Sequence, residues 1–460
     1  MFLSCRHKVH RARVQRRKDH STDKSKIKLT GLYFDGKRDV SMVNQKEGNK
    51  FYKKKVTEEH ISLLMEPGGK YVGHFTPATG SSRSILQGIV KFTEDNGISM
   101  DSILAIGCDG TNVNTGTKGG LIVLMEEYLG RPLHWFICML HANELPLRHL
   151  FSNLDGKTSG PRCFTGPIGK LLQNCEIKPI QTFDPIEVPP VVIDKTDLST
   201  DQKYLLEIYE AVSSGRVSED LGKRSPGSLN HARWLTTANR ILRLYVSNVH
   251  QENNLITLVN FVMRVYVPMW FEIKANPYVA SGARHIFKAI SLVKQQPVDV
   301  QKIVVPVMQR NAYFAHHEII LLTMITDERP TIRELAWRRI KKSRENKSSQ
   351  KVREFKIPEL KFDCNDYQDI ISWQSINVTE PPATMAISDS ELDNYISAKH
   401  LFEADKYPLH TQAVERAIKV VSEASSRVCG QTTREGFITA RLASRERVSI
   451  FESKKDYPLC

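Results

Sequence analysis

No stretch of this chain approaches the roughly 18 uninterrupted apolar residues that a membrane span requires. Its first residues are basic where a secretory signal would place an apolar segment, so no membrane is expected among its partners. The eight cysteines are scattered without short regular spacing, which argues against a disulfide framework and fits reduced thiols. A G-x-S-x-G nucleophile motif is missing, as is a phosphate-cradling G-x-x-x-x-G-K-[ST] loop. There is no internal repeat and no low-complexity tract.

What is present is material for large cores and a localised positive charge. The 460 residues are 40% hydrophobic, enough for two or three domains. The net charge is +14, and two segments account for it: residues 1–28 carry ten Lys/Arg against two Asp, and residues 329–361 carry twelve against four Glu. The remainder sums to about −2. Such patches attract polyanions by Coulomb steering and counterion release, which makes nucleic acid the expected partner and the nucleus the expected compartment.

Residues 1–26 have almost no apolar periodicity and read as a basic flexible leader. From Ile27 a short apolar run with Leu29, Leu32, Tyr33 and Phe34 predicts a buried strand ending at Asp35-Gly36. Strands are further expected near Tyr52 to Met65 and Tyr71 to Thr76, on either side of a Pro67-Gly68-Gly69 turn. Helical spacing runs from Ser84 to Asp95 and stops near Gly97. Ile103 to Cys108 reads as a buried strand, Gly119 to Leu129 as a helix and Leu133 to Leu140 as another strand. The alternation predicts an α/β fold with parallel strands.

Residues 176–203 are too proline-rich for a regular element and read as a linker. Residues 204–388 read as a mostly helical region, with a buried segment at Leu255 to Val267. Near its end Thr331 and Glu334 fit a capping box after Pro330. The helix so opened carries Arg338, Arg339, Lys341 and Lys342, either a solvated face or a DNA-backbone contact. A last block, 389–460, returns to helical pattern.

Asp35 and Asp109 share a context, Phe34-Asp35-Gly36 and Cys108-Asp109-Gly110. Each follows an apolar strand and precedes a glycine that frees the backbone to turn, placing a carboxylate at the rim of an open α/β sheet. Two such groups on adjacent strands suit hard Mg²⁺ or Mn²⁺ ions and the metal-assisted cleavage of phosphodiesters. Asp-Gly is equally an ordinary turn dipeptide.

The segment Gly107-Cys108-Asp109-Gly110-Thr111-Asn112-Val113-Asn114-Thr115-Gly116, followed by Cys138-Met139-Leu140-His141, resembles the core of hAT-like DNA transposases. Arg233-Trp234 is similar to the Arg-Trp pair of that family, and Val414-Glu415-Arg416 to its Ser-Glu-Arg signature. The resemblance implies a ribonuclease H-like mixed sheet with helices, interrupted by a large mostly helical insertion. Residues 27–175 would form the first part of the core and 389–460 its completion. It implies Asp35, Asp109 and Glu415 as the metal-binding catalytic acids, with Mg²⁺ or Mn²⁺, and His141, Arg233 and Trp234 near DNA. Asp39 competes with Asp35, and Glu423 with Glu415, since Val414 and Ala417-Ile418 depart from the family pattern. The implied activity is DNA cleavage and strand transfer by a transposase able to form homo-oligomers. The alternative is a domesticated or truncated descendant that binds DNA or protein without cutting. Cys5, His7, His10 and His20 are a poor match to the zinc-binding recognition domain the family usually carries.

Overall fold

A computed structural model of the chain describes residues 27–156, 164–229, 233–247, 252–345, 355–397, 406–410 and 412–448. The basic leader, with Cys5, His7, His10 and His20, lies outside the described residues. The strands are β1 (Gly31–Glu47), β2 (Lys50–Glu66), β3 (Lys70–Phe75), β4 (Ala105–Cys108) and β5 (His134–Ile137). Among the helices are α1 (Ser82–Asp95), α2 (Leu121–Leu129), α3 (Met139–Asp155), α4 (Arg233–Tyr245), α5 (Pro330–Glu345), α6 (Gln412–Arg427) and α7 (Gln431–Val448).

The chain divides into two compact units. Among the described residues, the first comprises those within 1–137, 348–355 and 411–460, the second those within 138–347 and 356–410. The divisions fall at Ile137 and His410, whereas the sequence suggests 175 and 389. The reason for the first is local: the apolar run Leu133 to Leu140 is a strand only through Ile137, after which Met139 begins α3.

The first unit is α/β, built on one five-stranded mixed sheet in the order β3-β2-β1-β4-β5. β1 to β3 form an antiparallel meander, while β4 and β5 run parallel to β1. The two short parallel strands, Ala-Ile-Gly-Cys and His-Trp-Phe-Ile, are buried at every position, as strands covered on both faces must be. Gly107 sits under the Tyr33 ring, where a Cβ would come within 2.0 Å of it. Gly73 and Gly88 likewise make room for the Phe92 and Phe75 rings, which brings α1 close to β3. α1 starts at an N-cap, Ser81, whose hydroxyl accepts from the Ser84 N–H at 3.3 Å.

β1 does not end at Asp35. It continues to Glu47 and pairs residue by residue with β2 back from Lys50. The two-residue turn uses Gly48 at φ 61°, a conformation that suits a tight hairpin. The continuation escapes notice in the sequence because both of its faces mix polar and apolar residues, so the alternation that marks a half-buried strand is weak. The outer part of this hairpin is packed on one side by α6 and α7, which share a small core of Val420, Val421, Ala424 and Ile438 with Tyr71 against it.

The second unit is almost entirely helical. Its longest apolar stretch, Asn253–Ala275, is a helix with a π turn at Val262–Tyr266. By length and composition it resembles a membrane span, yet two thirds of its apolar window is buried inside the unit, as in a core helix. α5 begins at Pro330 itself, so Thr331 is already helical and does not form the expected capping box. The proline-rich residues after Ile177 carry no regular element until Thr200.

Candidate functional site

The site is best built from strand register. β1 and β4 pair in parallel as Gly31↔Ala105, Leu32↔Ile106 and Tyr33↔Gly107. Two residues beyond the last pair stand Asp35, within β1, and Asp109, just past the end of β4, on neighbouring segments of the sheet. Both are half-buried.

The turn after β4 fixes the Asp109 side chain. Its Oδ1 accepts from the Thr111 N–H at 3.2 Å, the Thr111 hydroxyl at 2.8 Å and the Asn114 amide at 2.7 Å. All three bonds fall on one oxygen. Among the described residues none falls on Oδ2, which leaves an anionic oxygen with a fixed direction. The turn-organising role of an Asp-Gly pair is therefore real, and it does not consume the group.

Glu415 lies in the first turn of α6 and is exposed. Two observations bracket its position along β1. At one end, Ala413 lies against Gly69, in the turn after Glu66, the partner of Gly31. At the other, the Ser422 hydroxyl stands beside the Asp39 carboxylate. Between these marks α6 runs alongside β1 in the same direction, and Glu415 is seven residues, about two turns, before Ser422 on the same stripe. Asp39 and Asp35 share one face of β1 by alternation. Asp35 and Asp39 are thus on the face of β1 that α6 covers, and Glu415 stands near the start of that helix.

The rivals are placed elsewhere or otherwise employed. Asp39 pairs with Lys37 at 3.1 Å and accepts from the Val40 N–H at 2.8 Å. Burial raises its pKa, but the Val40 N–H, Lys37 and Ser422 outweigh that and hold it below the usual carboxylate value. Glu423 pairs with Arg427 at 3.2 Å and Arg441 at 3.6 Å, tying α6 to α7.

The expected DNA contacts fall in the second unit, and several are occupied. In α5 the Arg339 guanidinium lies 3.8 Å from the centre of the Trp373 ring, and burial lowers its pKa to about 10. Lys341 bonds Asp393 at 2.8 Å and Arg338 bonds Glu334 at 2.5 Å. Lys342 is exposed. Most of the charge of α5 is spent within the unit, which the cation count could not reveal. Trp234 is half-buried, its ring edge-on to Phe151 at 5.7 Å. Arg233 opens α4, but its side chain lies outside the described residues. His141 is half-buried in the first turns of α3, and Cys138 at the N-cap has its sulfur 3.5 Å from Nδ1 of His410.

One polar cluster was not anticipated. His316, His317 and Glu318 are buried and lie close enough to share an ion. Thr379 already engages two of them: its N–H donates to His317 Nε2 at 3.0 Å, and its hydroxyl donates to Glu318 at 2.5 Å. The cluster reads as a tether for the segment around Thr379.

The chain matches no protein-family model and no curated protein.

Proposed function

We propose that the first unit is a ribonuclease H-like nuclease core of the hAT-like transposase kind, which cleaves DNA and joins 3′ ends at a site formed by Asp35, Asp109 and Glu415. The observation that supports this reading most is the parallel β1/β4 pairing, since Asp35 and Asp109 each come two residues after its last pair on adjacent inner strands of a mixed sheet with helices. The donor set fits hard divalent ions, because it is all oxygen and because Asp109 keeps one carboxylate oxygen open. Asp35 and Asp109 would hold Mg²⁺ or Mn²⁺ together, with Glu415 as third ligand. Bound ions would supply Lewis-acid activation of the attacking water or 3′-hydroxyl and neutralise the leaving oxygen.

The chain's own part in this chemistry is orientation. The Thr111 and Asn114 bonds hold the Asp109 carboxylate in one rotamer, so no side-chain ordering is required when substrate arrives. Mn²⁺-dependent nicking of supercoiled plasmid is the expected activity. Asp109→Ala and Asp35→Ala should each reduce it by roughly a hundredfold or more, while Asp39→Ala and Glu423→Ala leave it near wild type. Nicking at full rate in Asp109→Ala, with the protein folded, would refute the assignment. A chain that binds DNA but never nicks it would be the non-catalytic descendant.

A further inference from the structure

The hairpin formed by the outer halves of β1 and β2 carries a charge pattern distinct from that of the acidic site. β3 pairs with β2 only as far as Ile61, and β4 with β1 only as far as Tyr33. Beyond those residues the two strands continue as a two-stranded ribbon to the turn at Gly48. Residues 42–57 hold Lys46, Lys50, Lys53, Lys54 and Lys55 against one acid, Glu47. All five lysines are exposed, and among the described residues none is in an ion pair. Phe51 and Tyr52, at 69% and 50% exposure, stand beside them near the tip.

Register sorts these residues by face. Lys46 is opposite Phe51, Asn44 opposite Lys53 and Met42 opposite Lys55. Alternation therefore puts Lys46, Phe51, Lys53 and Lys55 on one face of the ribbon and Lys50, Tyr52 and Lys54 on the other. The second face is the one that, further down, carries Asp39 beside α6. The first faces away from that helix. Lys53 and Lys55 are about 6.8 Å apart on it, two strand residues.

Three consecutive lysines are a poor choice for a strand on propensity, and like charges on one face repel. Lysines do protect exposed strand edges from pairing with other chains. That role does not call for two large exposed aromatics at the same tip, which would encourage association. Unpaired cations interleaved with aromatics on a narrow ribbon suit a polyanion whose groove admits two strands. The DNA major groove, about 12 Å wide, is such a surface.

We propose that this ribbon is a DNA-binding arm that grips duplex DNA, its lysines on the phosphates and its aromatic tip in the groove. Resting on the reading given under Proposed function, it names the surface that delivers the substrate: β1 carries Asp35 at one end of the ribbon and Lys46 near the other.

The test uses the full chain in an Asp109→Asn background, so that binding is read without cleavage, and a 30-base-pair duplex of arbitrary sequence. Fluorescence anisotropy over a salt series gives affinity and salt slope. The triple variant Lys46→Gln, Lys53→Gln, Lys55→Gln should bind at least about tenfold more weakly at moderate salt, with a log–log slope smaller by about three, near one per phosphate contact. Phe51→Ala should weaken binding with the slope unchanged. Since these side chains are exposed, circular dichroism and melting should match the parent. Parent-like affinity and slope in the triple variant would overturn the proposal, and so would unchanged binding accompanied by new self-association, the signature of an edge-protecting role. Tighter binding to the corresponding single strand, lost in the same variant, would overturn the duplex assignment. The two readings fail separately: arm-dependent binding without nicking in the native sequence would remove the nuclease and keep the arm. Nicking with arm-independent binding would do the reverse.

Discussion

Gly107 shows how narrowly a single residue conditions the site. It lies on β4 beneath Tyr33 and two residues before Asp109, so any side chain there meets the aromatic ring. Gly107→Val should push β1 and β4 apart, cost about 2 to 3 kcal/mol as overpacking does, and misalign the two acids. Thermal melting together with a nicking assay checks this, and a wild-type Tm would contradict it. In the second unit, His285 is buried with Nε2 against the Asn276 carbonyl at 2.8 Å. Burial lowers its pKa more than the Asn276 bond and Glu272 raise it, so the folded state prefers the neutral ring. The unfolded chain then takes up the proton first, from about pH 6.5 downward. Stability from neutral His285 is complete above that pH and is lost as the pH falls toward the lower folded-state value. His285→Gln should flatten the decline in Tm between pH 7 and pH 5. An unchanged slope would remove His285 as a contributor.

At the scale of elements, much of the α/β order is legible in the residues, because buried parallel strands are short apolar runs and α1 repeats its apolar residues at helical spacing. Asp109 at a strand end is legible for the same reason. The outer hairpin is not, since its strands have neither an apolar run nor clear alternation, and its lysines vanish into a remainder that is nearly neutral when summed. Register brings them together. The reverse holds for α5, whose cations are conspicuous in sequence but whose Arg339, Lys341 and Arg344 are committed to Trp373, Asp393, Glu380 and Asp389. Removing them should therefore disturb the fold more than DNA binding. Arg344 is the clearest case, mostly buried and bonded to Glu380 at 2.7 Å. Arg344→Ala should destabilise by about 3 kcal/mol, the cost of leaving a buried partner unpaired, without reducing the salt slope of DNA binding. A smaller slope with unchanged Tm would restore α5 as a DNA contact.

For the whole molecule, the arrangement that matters is one unit assembled from distant parts of the chain. Asp35 and Asp109 come from its first third and Glu415 from its last tenth, with the helical unit lying between them in sequence. Asp109 just past its strand end is readable locally, whereas Asp35 lies inside a longer β1. The position of Glu415 depends on α6 running alongside β1, which only the packing at Gly69 and Asp39 discloses. If Asp35, Asp109 and Glu415 form one ion site, Mn²⁺ binding to the full chain, followed by electron paramagnetic resonance, reads it without requiring catalysis. Asp35→Asn, Asp109→Asn and Glu415→Gln should each weaken binding by tenfold or more, whereas Asp39→Asn and Glu423→Gln should not. Wild-type Mn²⁺ affinity in Asp35→Asn and Asp109→Asn alike would contradict the site.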